Sequence, residues 1–108
     1  MLNVYNQKPV SIFMHEGCGR LVIKFCNIKM KIKVCQFKLF NNYLINKSKT
    51  ITSDTSHVEL LLVKSNLTVT VSLSNFLQLM HGVKSVVQKE FYLNQRKYLE
   101  YLSSFSLN

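Results

Sequence analysis

The sequence predicts an α+β two-layer sandwich, and three features predict it. Two stretches alternate strictly between apolar and polar residues, each is followed by a stretch with a helical period, and the whole unit recurs 39 residues further along the chain. Period-two alternation marks a half-buried strand, and apolar residues three and four apart mark one helical face. The chain therefore reads as duplicated ββα units. They are expected to form a four-stranded, mainly antiparallel sheet, five-stranded if an N-terminal strand joins it, with both helices on one face.

Taken in order, Val10 to Met14 is the N-terminal strand, expected to pair with Leu21 to Phe25 across the turn Glu16-Gly17-Cys18-Gly19. A two-residue connection at Cys26-Asn27 leads into the alternating strand Ile28 to Val34, with Asn27 suited to the positive φ of a type I′ turn. Phe37, Phe40 and Leu44 then fall on one helical face. Asn46 to Ser56, rich in Lys, Ser and Thr, is the connecting loop.

The second copy overlays the first. Asn27-Ile28-Lys29-Met30-Lys31-Ile32-Lys33-Val34 lies over Asn66-Leu67-Thr68-Val69-Thr70-Val71-Ser72-Leu73, with every apolar position kept. Leu60 to Lys64 is its first strand, Ser65-Asn66 its two-residue turn and Leu67 to Leu73 its second strand. Phe76, Leu79, Met80, Val83 and Val87 give the helix, capped by Ser74 or by Ser72. Gly82 is expected to break or bend that helix, since Gly inside a helix costs about 1 kcal/mol against Ala. In domain terms, residues 1–108 form one domain, with one repeat over about 20–45, the other over about 57–88 and a helical extension over about 89–105.

At 108 residues, with 47% apolar content, three Gly and one Pro, disordered and low-complexity classes are excluded. Lys and Arg number 14 against 5 acids, and the excess is uneven: residues 1–54 carry nine basic and two acidic side chains. Such a surface attracts anionic partners. A compositional origin is the competing explanation, because Lys outnumbers Arg twelve to two, Asn occurs ten times and Ala never. No apolar run reaches the roughly 18 residues of a membrane span and no secretory leader is legible, so a cytoplasmic address and no membrane association are expected. Cys18, Cys26 and Cys35, odd in number, suggest reduced thiols and not a disulfide framework.

The tight turn at Cys26-Asn27 sets Phe25 opposite Ile28 and fixes the register of the hairpin. Leu21, Ile23, Phe25, Ile28, Met30, Ile32 and Val34 then share the core side. The reverse side gathers Arg20 opposite Lys33, Val22 opposite Lys31 and Lys24 opposite Lys29. These five cations are the candidate anion or nucleic-acid contacts. The corresponding face of the second hairpin carries Leu61 and Val63 toward water. With Phe91, Tyr98, Tyr101 and Leu102 of the C-terminal helix, they are the candidate partner interface. All the strongly aromatic positions are expected on the core face or on helices. No base-stacking platform and no sequence-specific readout follow.

Catalytic chemistry finds little support. The five carboxylates form no close pair, there is no Gly-rich phosphate loop, and Cys18 has no spacing that brings it to His57 or His81. His15 and Cys18, three apart, are at most half a metal site, and no second ligand pair is legible. No cofactor and no small-molecule substrate are expected.

The segments GCGRLVIKFCNIKMKIKVCQFKLFNNYL and HVELLLVKSNLTVTVSLSNFLQLMHGV resemble a family of short uncharacterised proteins from Bacteroidota, over about residues 13–88. In that family a Cys-x-x-Cys turn precedes a duplicated strand-turn-strand-helix unit. The resemblance implies the same repeated architecture and carries no assigned activity. Here His15 stands where the first family Cys would, Cys18 takes the second place, and Cys26 replaces the Gly usual before Asn27.

The sequence thus predicts a non-enzymatic binding or regulatory module that acts through protein–protein contact or self-association. The alternative is a sequence-tolerant nucleic-acid binder using its basic sheet face.

Overall fold

The computed structural model of the chain describes residues 2–15, 19–62 and 68–106, with side chains described as far as residue 89. Among the described residues, six strands and two helices follow one another as β1 (Leu2–Gln7), β2 (Val10–His15), β3 (Arg20–Phe25), β4 (Ile28–Lys33), α1 (Val34–Ser48), β5 (His57–Leu61), β6 (Thr68–Ser72) and α2 (Leu73–Ser106). The α+β class with a four-stranded antiparallel sheet and two helices holds. Its four strands are β1-β2-β3-β4, a meander in chain order, while β5 and β6 pair in a second, two-stranded sheet.

β1 is an element the sequence reading did not assign. It reaches β2 through a cis Lys8-Pro9 bond, and the register between them shifts between Asn3 and Tyr5. Val10↔Phe25 and Met14↔Leu21 join β2 to β3, and Phe25↔Ile28 through Arg20↔Lys33 join β3 to β4. In the β3–β4 turn the left-handed residue is Cys26, with φ 54°, and not Asn27. A type I′ turn needs positive φ at both central positions, so this connection is not one.

Both helices begin earlier than the alternation suggested. The amide of Val34 bonds to the Gly19 carbonyl at 3.0 Å as helical geometry starts. Cys35 therefore sits in the first turn of α1 and not at a strand end. Gln36 Oε1 accepts from the Lys33 amide at 3.1 Å, satisfying one backbone donor at that end. For α2 the cap is Ser72 and not Ser74: its Oγ accepts from the Asn75 amide at 3.2 Å, three residues on.

The second hairpin pairs Leu61 with Thr68 and His57 with Ser72. A two-residue turn at Ser65-Asn66 would instead set Leu61 against Thr70, so the observed register is displaced by two residues. Because side chains alternate with period two, this displacement leaves every residue on its expected face. The Ser65-Asn66 turn itself lies outside the described residues.

One contiguous core joins the parts. α1 contributes Phe37, Phe40 and Leu44, α2 contributes Phe76, Leu79, Val83 and Val86, and the β5–β6 hairpin contributes Val58, Leu60 and Val71. All pack against the sheet face made by Val10, Ile12, Leu21, Ile23, Phe25, Met30 and Ile32. α1 lies over β3 and β4, and α2 over β1 and β2. Gly82 does not interrupt α2, which continues to Ser106. No helix among the described residues is long and apolar enough to cross a membrane.

Candidate nucleic-acid interface

With one face of the meander under the helices, alternation sends the intervening side chains to the other. β4 displays Lys29, Lys31 and Lys33, all exposed, while Met30 and Ile32 between them are buried. β3 displays exposed Arg20 and Lys24 on either side of Val22. Register then aligns the strands into three rows. Asn6, Ser11, Lys24 and Lys29 form one, Asn3, Phe13, Val22 and Lys31 the next, and His15, Arg20 and Lys33 the last. None of the four strands contains an Asp or Glu.

At the centre of these rows is an aromatic residue. Phe13 of β2 is half-buried, and the Lys24 ammonium sits 5.2 Å from the centroid of its ring. Next to it in register, Val22 is only 1% exposed although it lies on the face away from the main core. Phe13 and Lys31 flank it across the sheet, and Arg20 and Lys24 along its own strand. The face is thus a small apolar centre bordered by cations on the β3 and β4 side and by Asn3, Ser11 and His15 on the β1 and β2 side. Toward one end, an open depression of about 170 Å³ is lined by Arg20, Lys31, Ile32 and Lys33. Beside β1, the Ser11 hydroxyl donates to Asn6 Oδ1 at 3.0 Å.

Two physical reasons compete for the lysines. β4 is an edge strand, and lysines on edges deter strand addition by other chains. That reason accounts for Lys29, Lys31 and Lys33. It does not reach Arg20 and Lys24, which stand on an internal strand directly opposite Lys33 and Lys29. Opposed like charges cost some tenths of a kcal/mol or more per pair, and edge protection gains nothing from them.

The other candidate residues are placed elsewhere. Leu61 is 53% exposed, but on β5, whose sheet is separate from the basic one, so it does not extend the lysine face. Its amide donates to the Tyr43 hydroxyl of α1 at 2.9 Å. Val63 lies outside the described residues, as do the side chains of Phe91, Tyr98, Tyr101 and Leu102. His15 faces the basic side opposite Arg20, and its companion Cys18 lies outside the described residues. Among the described residues no three His, Cys, Asp or Glu side chains gather to hold a metal. His81, exposed on α2, meets the ring of Tyr5 edge-on, with 6.3 Å between centroids.

Phe13 corrects the expectation that aromatic residues avoid this face. The signal was present: if Val10, Ile12 and Met14 face the core, Ser11, Phe13 and His15 must face away.

No protein-family model, curated protein or solved structure matches the chain.

Proposed function

We propose that this chain is a non-enzymatic binding module that takes the phosphate backbone of a nucleic acid, without sequence preference, on the open face of the β1–β4 sheet. The observation that carries the reading is the two pairs of opposed cations, Arg20 with Lys33 and Lys24 with Lys29, on strands without a single carboxylate. A polyanion relieves their mutual repulsion and releases its own counterions on binding. The side chains are long and exposed, suited to positioning on phosphates and not to reading base edges.

Titration with a labelled oligonucleotide at several salt concentrations tests this. Neutralising four phosphates gives a slope of log K against log salt of about −3. Charge reversal at Lys29 and Lys31 flattens it. No binding at low salt, or a slope near zero, overturns the proposal.

Self-association or protein contact is the second reading, supported by the length of α2. Its 34 residues span about 51 Å, more than twice the roughly 20 Å of a six-residue strand, which is more helix than covering such a strand requires. Light scattering on the purified chain tests it: a monomer at all concentrations removes self-association.

A further inference from the structure

We infer that the occupant of the basic face is single-stranded, and that one of its bases stacks on the ring of Phe13. This rests on the nucleic-acid reading above and narrows it.

Position comes first. Phe13 lies in the middle of its row, with Val22 and Lys31 on one side and Asn3 on the other, while Lys24, Lys29, Arg20 and Lys33 occupy the rows above and below. A strand whose phosphates follow the cations of β3 and β4 therefore brings its bases over β2, where Phe13 stands. The ring is partly exposed and its visible partner is the Lys24 ammonium at 5.2 Å. That contact is exchangeable. An exposed cation–π pair is weaker than or comparable to base–aromatic stacking, and the ammonium, once displaced, is free to meet a phosphate.

Shape argues against a duplex. Four strands about 4.8 Å apart make a face about 14 Å across, wider than the roughly 12 Å major groove, which admits a helix or a two-stranded ribbon. Phe13 is set back from the free β4 edge by β3, so its ring cannot enter a groove while β1 and β3 flank it. A duplex meets this face only through backbone phosphates, with its bases stacked on each other and out of reach of Phe13.

The chain contains no Trp, so Phe13→Trp places one reporter at the ring. Three probes are titrated: oligothymidylate, the same length of duplex, and inorganic polyphosphate, which has charge and no bases. Oligothymidylate is expected to quench the Trp emission, and polyphosphate to bind without quenching. Phe13→Leu, which keeps apolar cover over Val22, is expected to lose roughly 5- to 100-fold in oligothymidylate affinity while polyphosphate affinity is unchanged. Binding of oligothymidylate without quenching, equal affinity for the duplex, or a Phe13→Leu variant that affects both probes alike overturns the stacking inference and leaves electrostatic binding standing. Failure of all three probes to bind at low salt overturns both.

Discussion

The ring of Tyr5 on β1 lies directly against the bare Cα of Gly82 on α2. A Cβ at position 82 would come within 2.7 Å of Tyr5 Cε1 and 3.1 Å of Cδ1. Gly82 is therefore the residue that lets the first strand and the last helix approach, and its cost to helix propensity is the cost of that contact. Gly82→Ala gains about 1 kcal/mol of helix propensity and loses about 1–3 kcal/mol to overpacking, for a net destabilisation of about 1 kcal/mol in urea denaturation. In a Tyr5→Ala background the same substitution stabilises by about 1 kcal/mol. The same sign in both backgrounds would show that Tyr5 is not the reason for the glycine.

Lys29 and Lys24 face each other across β3–β4 with like charge. Lys29→Glu turns that repulsion into attraction and stabilises the fold by about 0.2–1 kcal/mol. The same change weakens oligonucleotide binding and lowers its salt dependence. Thermal denaturation and a salt titration on one variant read both effects, and a loss of stability would contradict the pairing.

Cys26 holds φ at 54°, a left-handed conformation that side chains with a Cβ adopt at a cost of roughly 1–2 kcal/mol. Cys26→Gly relieves it. The thiol accepts only a long contact from Asn75 Nδ2 at 3.7 Å, so little is lost with it. Stability rises by about 0.5–1 kcal/mol in chemical denaturation, and a decrease would place the thiol contact above the backbone cost.

Asn41 is buried on α1 among Phe37, Phe40 and Leu44, and its Oδ1 finds no hydrogen-bond partner among the described residues. Asn41→Leu removes a buried unsatisfied acceptor and adds apolar volume of similar size. Stabilisation of about 1–2 kcal/mol is expected in urea, and destabilisation would point to a water or polar group satisfying that oxygen.

Tyr43→Phe deletes the hydroxyl that accepts from the Leu61 amide on the outer edge of β5. A loss of about 0.5–1.5 kcal/mol follows, together with faster hydrogen exchange at Leu61 than at its β6 partner Thr68. Unchanged exchange at Leu61 would show that the hydroxyl does not guard the edge.

The parts of this structure that were legible in the sequence are those governed by local period and tight turns. Ile28 to Lys33 alternates so strictly that its buried and exposed sets follow residue by residue, and a two-residue turn leaves its pairing with β3 no freedom. Helix starts were less legible. Val34 and Leu73 continue the strand alternation as letters, yet the chain turns helical there because Gln36 and Ser72 satisfy the freed amides. β1 was missed because Leu2–Gln7 carries Asn at two positions and an irregular register with β2, so neither face shows a clean alternation. That the hairpins join different sheets was not legible at all, since strand order depends on helix packing and not on pattern. The place of Phe13 is legible in the sequence: with Val10, Ile12 and Met14 on the core side, its parity sets it on the other.

The division of labour between the two helices governs how the molecule can be assembled. All four strands of the meander are contained in residues 2–33, and α1 completes a contiguous segment ending at Ser48. A nascent chain that has released only this segment already possesses every cation of the basic face. It lacks α2, which covers β1 and β2, so Val10 and Ile12 are left bare to water. The charged side of the sheet is written in the first third of the chain, but its rigidity waits on Phe76, Leu79 and Val83 arriving from the last. Truncating the protein to its cationic segment would leave a sticky, half-roofed sheet and not a minimal binding domain.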